Sequence, residues 1–279
     1  MNLKSSVKTF IEENNLIYGI CSAERMDYLE PILKDKVVPF VNYDVEMRIN
    51  PRLTLDSAKS IIVLGMGYKK SLKVKLDDEL RGNISFGAIG IDYHIKLSKY
   101  LEELGLILEK EYENVEYKYF VDNGPLVDRE IAKKAGIGCV GKSGNLISKK
   151  LGSFFFIGYM ITNLKLDCNN IEIEDYSLCN NCNRCILACP GKALCGNGKM
   201  NYKNCVSYIT QKKGDLTDIE RHTIKNSIYG CDICQLVCPY NKNVISEDIE
   251  ELDIKHPKLE EFLNLSKKEF NNKYSNSAM

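Results

Sequence analysis

The sequence of 279 residues predicts an N-terminal domain of α/β (α+β) class, followed by a cysteine-rich module and an acidic helical tail. Helical and strand-like patterns alternate up to about residue 166. Such alternation is typical of a sheet covered by helices, with functional loops at the ends of its strands. From about residue 167 the composition shifts to cysteine, asparagine and lysine, with little periodicity. We therefore place the three parts at residues 1–166, 167–243 and 244–279.

Strands are predicted where short β-branched or apolar runs occur, and helices where apolar residues recur three or four positions apart. The longest predicted helix covers residues 92–112, in which four leucines form one stripe. Prolines at positions 31 and 39 are expected to end a helix that begins at Met26. The other predicted elements are helices over 3–13, 125–135 and 259–270, and strands over 16–21, 60–66, 117–121 and 153–162.

The cysteine-rich module contains the run C-x₂-C-x₂-C-x₃-C-P, which ends at Pro190. In bacterial ferredoxins the first three thiolates of this run hold one [4Fe–4S] cluster, and the fourth ligates a second cluster. A C-x₂-C-x₃-C-P step follows and ends at Pro239. The spacing assigns Cys179, Cys182, Cys185 and Cys238 to one cluster, and Cys189, Cys205, Cys231 and Cys234 to the other.

Structural zinc is the main alternative for these cysteines, because zinc sites also use paired C-x₂-C units. The third closely spaced cysteine and the repeated C-x₃-C-P step favour two iron–sulfur clusters in a ferredoxin-like module. Disulfides are disfavoured, since the chain shows no secretory signal and cytosolic thiols stay reduced. No apolar run is long enough to span a bilayer, so we expect a cytoplasmic protein.

The two clusters account for eight of the twelve cysteines, and we predict that the remaining four, Cys21, Cys139, Cys168 and Cys195, are buried spectators. The net charge is zero, but residues 129–213 carry 13 Lys and Arg against 5 Asp and Glu, a balance of +8. A basic segment can bind a polyanion. It can equally offset the negative charge of cysteine-ligated clusters, and the sequence does not separate the two interpretations.

Two clusters alone make an electron carrier. The large domain that precedes them therefore indicates that the electrons are delivered to an acceptor, which we expect in that domain. The loop Val121–Pro125 closes a predicted strand just before a helix. Asp122 in this loop can act as a general acid if burial raises its pKa. Its spacing alone favours the alternative, a helix N-cap.

Two further motifs are weaker. Residues 136–143 match G-x₄-G-K-S formally, but they do not follow an apolar strand as a phosphate-binding loop does. A close approach of glycines to a bulky cofactor fits them at least as well. His94 resembles the D-x-H histidine of cobalt-ligating proteins, but Leu97 stands where those proteins have glycine. A hydrogen-bonded histidine in the first turn of a helix is equally consistent.

Together these motifs resemble the epoxyqueuosine reductase family, the cobalamin- and iron–sulfur-dependent enzymes of queuosine-tRNA synthesis. The resemblance covers nearly the whole chain. Besides both cysteine motifs it is carried by Arg48 in Met-Arg-Ile-Asn-Pro, residues 92–94, 121–125, Asp128-Arg129, 135–138 with Gly141-Lys142, Gly152-Ser153, 160–162, 205–210 and 229–235.

The resemblance implies that the N-terminal domain binds base-off cobalamin against the cluster module, an arrangement similar to that of reductive dehalogenases. An external low-potential donor would supply electrons, which would pass through the two clusters to cobalt. The product would be queuosine in tRNA and water. Asp122 matches the family's proton donor, and an epoxide oxygen needs an acid because an alkoxide leaves poorly. A corrin above this carboxyl would keep it protonated by desolvation.

The resemblance also implies a set of residues that line the cofactor or substrate pocket: Arg48, His94, Lys142, Leu146, Ile157 and Ser207. The chain departs from the family in three features. It has no tryptophan, it reads Gly-Lys-Ser where the family has Gly-Lys-Asn, and it ends at Met279, so we expect no C-terminal helical repeats of the kind that help to hold tRNA.

Three alternatives remain open. A cobalamin and iron–sulfur reductase of the same architecture could act on a small molecule rather than on tRNA. A dicluster electron carrier would lack the corrin altogether, and cobalt content would distinguish it. A nucleotidase with attached clusters would require nucleotide binding at residues 136–143.

Overall fold

The computed structural model describes most of the chain, and the described residues are 1–34, 44–72, 80–168, 174–244, 247–249 and 255–279. They form two compact units whose segments alternate along the chain. Unit 1 comprises residues 1–66, 94–139 and 156–174, and unit 2 comprises residues 67–93, 140–155 and 175–279. The predicted three-part division at residues 166 and 243 stays a prediction.

The helices are α1 (Ser5–Glu13), α2 (Glu30–Lys34), α3 (Val45–Ile49), α4 (Tyr93–Glu111), α5 (Asp128–Lys134), α6 (Arg184–Ala188), α7 (Val206–Ile209), α8 (Asp218–Ile224), α9 (Ile233–Leu236), α10 (Leu259–Leu263) and α11 (Lys267–Tyr274). The strands are β1 (Ile17–Ser22), β2 (Ser60–Gly67), β3 (Lys70–Leu72), β4 (Asn83–Ile84), β5 (Tyr117–Val121), β6 (Cys139–Val140), β7 (Leu146–Ile147), β8 (Phe155–Thr162), β9 (Ser227–Tyr229) and β10 (Glu247–Ile249).

Unit 1 is built on a four-stranded sheet of order β1-β2-β8-β5. The outer pairs are antiparallel, with Ile20 opposite Ile62 and Tyr119 opposite Met160. Strand β2 is buried from its first residue to Met66, because its β-branched side chains pack on both faces of the sheet. The mixed sheet with covering helices confirms the predicted α+β fold class.

Helix α4 covers the sheet with the predicted leucine stripe. Leu97, Leu101, Leu104 and Leu108 are fully buried. Leu97 and Leu101 lie against Gly158 of β8, where a Cβ atom would approach their side chains to 2.9 Å. A larger residue at position 158 would push the helix away from the strand. This close packing places the first turn of α4, which contains His94, at a fixed position within unit 1.

Most predicted elements are present within a few residues of their predicted ends, and two predictions need correction. Pro31 was expected to end a helix but lies in the first turn of α2, where proline's missing N–H has no partner to lose; Pro39 lies outside the described residues. The predicted helix over 259–270 is two helices, because Ser266 and Glu269 form a capping box that begins α11.

Unit 2 consists of short elements, including the parallel pairs β3–β10 and β4–β9. Helices α6 and α9, which carry Cys185 and Cys234, pack against one another. In the described part of the chain, no helix is both long and apolar enough to cross a membrane.

Candidate functional site

The eight cysteines assigned to the clusters all lie in unit 2; seven are on the short helices α6 and α9 or in the turns beside them, and Cys205 directly precedes α7. Burial raises the pKa of Cys238, and the neighbouring Cys179 and Cys182 raise it further. The pKa of Cys185 is likewise raised by burial and then by Cys179 and Cys238. The thiols that influence one another here are the four that spacing assigns to the first cluster, and the assignment of these ligands stays a prediction.

The other four thiols form a second group. Burial raises the pKa of Cys231, and Cys205 and Cys189 add to the shift. The pKa of Cys234 is raised to about 12, mainly by burial. The neighbouring thiols of Cys231 and Cys205 raise it further, and Cys185 of the first group has a smaller effect. Thiols crowded in this way resist ionisation unless a cation shares their charge, and iron supplies that charge in a cluster. Both groups therefore fit a [4Fe–4S] cluster.

Several N–H groups donate to sulfur atoms of these two groups of cysteines. The Lys142 backbone donates to Cys179 Sγ at 3.4 Å, the Ala193 backbone donates to Cys189 Sγ at 3.3 Å, and Asn145 Nδ2 donates to Cys234 Sγ at 3.7 Å. Such bonds stabilise the negative charge of cluster sulfurs and influence the reduction potential. The role of Asn145 was not predicted, because this residue lies far along the chain from either cysteine motif.

The predicted pocket residues of unit 2 have local roles. The Lys142 ammonium donates to the Asn180 carbonyl at 2.7 Å and to Asn183 Oδ1 at 3.1 Å, so it bridges the loop between cluster cysteines. Leu146 is buried in β7, and Ser207 Oγ in α7 accepts from Gln211 Nε2 at 3.2 Å. Their predicted contacts with a cofactor or substrate stay predictions.

A buried ion pair supports the second cysteine group and was not predicted from the sequence. Asp232 lies between Cys231 and Ile233, and its carboxylate accepts from Ser85 Oγ at 2.6 Å and from the Phe86 backbone at 2.9 Å. Lys255 Nζ is 3.1 Å from the same carboxylate and 4.1 Å from the centre of the Phe86 ring. Both charged side chains are about 95% buried or more, with exposed fractions of 5% and 2%. The tail therefore contributes a cation next to a cluster motif.

In unit 1, Asp122 occupies a strained position at the end of β5. Its φ of 60° is in the left-handed region, and the Asn123 backbone donates to the Val121 carbonyl at 2.7 Å across it. This bond closes a three-residue γ-turn, a strained conformation of the kind found at functional sites. The turn directs the carboxylate outward, with 59% of the side chain exposed and Oδ2 at 3.6 Å from His94 Nε2.

The N-cap interpretation of Asp122 is wrong. Helix α5 begins at Asp128 after Val127, which is its N-cap residue, so Asp122 lies well outside the helix. The segment from Asn123 to Leu126 separates Asp122 from the start of α5. A pattern of strand followed by helix does not reveal the length of such a segment.

Tyr159 holds the loop that follows Asp122. This fully buried tyrosine of β8 accepts a hydrogen bond from the Leu126 backbone at 3.1 Å. Gly124 packs on its hydroxyl, and a Cβ atom there would also approach Phe120 Cβ to 2.7 Å. Glycine is therefore required for the loop to fold onto the sheet. Ile157, two residues earlier in β8, is half-buried.

Arg48 and Asp128 form a second group of charges in unit 1. Arg48 Nε and Asp128 Oδ1 are buried, and neither makes a hydrogen bond to any residue that the structure describes. Burial raises the pKa of Asp128 to about 8, and the charge of Asp122 raises it further, against the opposing effects of Arg48 and Arg129. Burial lowers the pKa of Arg48, and Asp128 and Tyr159 partly reverse that shift. Buried polar atoms of this kind are suited to a polar ligand.

The glycine-rich stretch is not a phosphate-binding loop. Gly136 ends α5 with φ of 75°, so the stretch follows a helix rather than a strand. The Gly141 backbone donates to the Asn145 carbonyl at 2.9 Å, and β7 follows at Leu146. Residues 141–145 therefore form a tight turn between β6 and β7, whereas a phosphate-binding loop leads into the N-terminus of a helix.

The four remaining cysteines only partly fit their predicted burial. Cys21 and Cys139 are buried and Cys168 is half-buried, but Cys195 is exposed. The prediction is wrong for Cys195 because this residue lies in a surface turn, where its backbone donates to the Lys199 carbonyl at 3.1 Å.

Comparison with known proteins agrees with the two cysteine groups. Residues 178–241 match the family model described as a 4Fe-4S double cluster binding domain. The chain is therefore an iron–sulfur protein with two [4Fe–4S] clusters, as the spacing predicted. Residues 48–123, which include Arg48, His94 and Asp122, match the model described as epoxyqueuosine reductase QueG, DUF1730.

Relatives along the full chain identify the family. An epoxyqueuosine reductase of Lactococcus garvieae is 39% identical over 289 residues, covering 99% of this chain and 82% of that protein. A solved epoxyqueuosine reductase from Streptococcus thermophilus is 38% identical with a TM-score of 0.91, covering 100% of this chain and 76% of that one. The chain belongs to the epoxyqueuosine reductase family, whose members are oxidoreductases. It spans 64% of another relative, from Staphylococcus aureus.

Two further structures bear on the site. An epoxyqueuosine reductase solved with an epoxyqueuosine-modified tRNA-Tyr stem loop is 33% identical, with a TM-score of 0.88 over 97% of this chain and 76% of that one. A catabolic reductive dehalogenase matches at a TM-score of 0.54 with 14% identity, covering 85% of this chain and 32% of its own. That second likeness shows a shared fold and confirms the predicted architectural relationship.

Proposed function

We propose that this protein reduces epoxyqueuosine to queuosine in tRNA, with two [4Fe–4S] clusters, bound cobalamin and Asp122 as the proton donor. The observation that carries the proposal is the γ-turn at Asp122, in a chain of this family. A strained backbone that presents one carboxylate 3.6 Å from a histidine is expected at a site of proton transfer rather than in a structural loop.

The residues of unit 1 fit a large polar cofactor. Arg48 Nε and Asp128 Oδ1 are buried without a partner among the described residues, and His94 lies beside Asp122. When bound, cobalamin supplies a reduced cobalt centre that can open the epoxide. Arg48 and His94 would hold polar groups of cofactor or substrate, and the Asp122 carboxyl would deliver a proton to the leaving oxygen. Coverage by the cofactor would keep that carboxyl protonated.

Two observations support tRNA over a small molecule as the substrate. The related enzyme solved with a modified tRNA stem loop matches nearly the whole chain. Residues 129–213 also have a charge balance of +8, which suits contacts with phosphates. An external low-potential donor would reduce the clusters, and a reducing cytoplasm would keep the free thiols from forming disulfides.

The test is conversion by anaerobically purified protein that has been reconstituted with iron, sulfide and cobalamin. The protein is mixed with a chemical reductant and tRNA that carries epoxyqueuosine, and the nucleosides are analysed after digestion. We expect queuosine to form, and we expect Asp122→Asn to retain clusters and cobalamin while turnover falls by about 10²–10⁴-fold. His222→Gln, at an exposed position on α8, is the matched control and should convert normally.

Other outcomes identify the alternatives. Bound cobalamin without conversion would move the substrate to a small molecule, and clusters without cobalamin binding would leave a dicluster electron carrier. Unchanged turnover of the Asp122→Asn protein would refute the role of Asp122 as the acid.

A further inference from the structure

The buried carboxylate of Asp232 lies beside the second cysteine group, and covalent geometry limits its distance from a predicted cluster ligand. Asp232 directly follows Cys231 and lies two positions before Cys234. Because consecutive Cα atoms are about 3.8 Å apart, the carboxylate is within about 10 Å of Cys231 Sγ in any side-chain rotamer. Only 2% of the Asp232 side chain is exposed, so water screens its field weakly.

This carboxylate joins the cysteine loop to another segment of unit 2. It accepts from Ser85 Oγ at 2.6 Å and from the Phe86 backbone at 2.9 Å. The two segments are packed closely there, because a Cβ atom on Gly230 would approach Ser85 Cβ to 2.5 Å. A fixed negative charge next to a cluster ligand makes the addition of an electron to that cluster less favourable. On its own, the carboxylate would therefore lower the reduction potential.

We propose that the Lys255 ammonium sets the reduction potential of the second cluster, whose predicted ligands include Cys231, by cancelling the charge of Asp232. Its Nζ atom is 3.1 Å from the Asp232 carboxylate and 4.1 Å from the centre of the Phe86 ring, and it also donates to the Ile84 carbonyl. These partners satisfy a buried ammonium and hold it in one position. The field of the pair at the cluster is therefore that of a small dipole rather than of a full negative charge.

The backbone next to Lys255 is fixed by contacts that do not involve its ammonium. Arg81 Nη1 donates to the His256 carbonyl at 2.7 Å, and the Gly82 backbone donates to the Pro257 carbonyl at 2.9 Å. Both bonds lie within unit 2 and anchor this segment of the tail. A substitution that removes only the charge of Lys255 should therefore leave the segment in place, so that a change in the cluster reports the charge.

The sign of the expected effect follows from the charge that each substitution leaves behind. Lys255→Met leaves the carboxylate uncompensated, so reduction of the cluster should become less favourable. Asp232→Asn leaves the ammonium uncompensated, so reduction should become more favourable. A unit charge about 10 Å away, at an effective dielectric constant of about 20, changes the reduction equilibrium by about tenfold. For a one-electron couple, a tenfold change corresponds to about 59 mV.

The test is an anaerobic redox titration, followed by electron paramagnetic resonance, of protein reconstituted with iron and sulfide. We expect one of the two cluster potentials to fall in Lys255→Met, to rise in Asp232→Asn and to return close to the wild-type value in the double variant. Lys255→Arg keeps the charge and should stay close to wild type. Lys268→Met removes an exposed lysine of the tail and is the matched control. A Lys255→Met protein with wild-type potentials, or with both potentials shifted equally, would overturn the inference.

Asp232→Asn decides the question if Lys255→Met fails to fold, because an amide has the shape of the carboxylate and can still accept from the Phe86 backbone. If its potential does not rise, the charges of the pair do not act on the cluster and the inference is wrong. The inference requires the two clusters but neither cobalamin nor tRNA. Shifted potentials in a protein that does not convert tRNA would refute the proposed function alone, whereas conversion with unshifted potentials would refute this inference alone.

Discussion

The sheet of unit 1 and the cysteine segment of unit 2 are ordered by different forces. Strand β2 is buried over its whole length except the last residue, and α4 adds a stripe of fully buried leucines. In residues 178–241, all of which the structure describes, the buried apolar side chains are Ala193, Val206 and Ile209. The sheet is therefore stabilised by apolar burial, whereas the cysteine segment depends on its clusters.

Because the two regions are stabilised differently, the loop of Asp122 and the cysteine segment should respond differently to loss of the clusters. Each buried leucine or valine contributes about 1.5–3 kcal/mol to the stability of the sheet. The hydrogen bond between the Leu126 backbone and Tyr159 fixes the loop of Asp122 to that sheet. A cluster instead contributes its binding free energy directly to folding. The acid should therefore stay in place when the clusters are lost, while the thiol groups should not.

The largest expected effect follows from iron removal. Anaerobic chelation should unfold residues 178–241, because three buried apolar side chains cannot offset the conformational entropy of 64 ordered residues. Hydrogen exchange measured by mass spectrometry should show loss of protection in that segment and continued protection of β2 and β8. Equal loss of protection in both regions would show that the sheet also depends on the clusters.

The next effect concerns the buried ion pair of unit 2. Lys255→Met leaves the Asp232 carboxylate buried without its cation, which should cost about 3–5 kcal/mol of stability. The double variant with Asp232→Asn removes both charges and should recover most of that loss. Thermal unfolding monitored through cluster absorbance measures both. A single variant as stable as wild type would show that the pair contributes nothing.

The order of these two regions was predictable to different degrees. The leucine stripe of α4 and the β-branched run of β2 have strong periodicity, so their structure followed from the residues alone. The presence of two clusters followed from the spacing of the cysteines. The Lys255–Asp232 pair joins residues 23 positions apart, and no local pattern indicates such a contact.

A smaller effect is expected at Tyr159. Tyr159→Phe removes the acceptor of the Leu126 N–H, which then stays buried without a partner and costs about 1–3 kcal/mol. The loop of Asp122 should loosen, so kcat should fall more than KM changes. Tyr119→Phe, in the neighbouring strand β5, is the control and should have little effect. Unchanged exchange rates of the loop amides in Tyr159→Phe would contradict this support.

The site residues show where sequence reasoning stops. Asp122 was found through its motif, but the γ-turn that presents it depends on packing of Gly124 against Tyr159, 35 positions away. Asp128 belonged to the same motif, yet its burial beside Arg48 required the fold. A carboxylate at a helix start usually indicates favourable interaction with the helix dipole, so its type and position gave no reason to expect a buried carboxyl oxygen without a hydrogen bond from the described residues.

The smallest effect distinguishes two roles of Lys142. Its ammonium bridges Asn180 and Asn183 in the first cysteine loop, and these bonds lie at the surface, so each contributes about 1 kcal/mol or less. Lys142→Met should therefore speed cluster loss a few-fold, as followed by visible absorbance during chelation. Lys142→Arg keeps the charge and should lie between Met and wild type, and Lys150→Met, at an exposed position after β7, should match wild type. If Lys142 instead binds the cofactor or substrate, as the family resemblance implies, Lys142→Met should raise KM and leave the rate of cluster loss unchanged. Both effects together would mean that one ammonium serves the loop and the substrate.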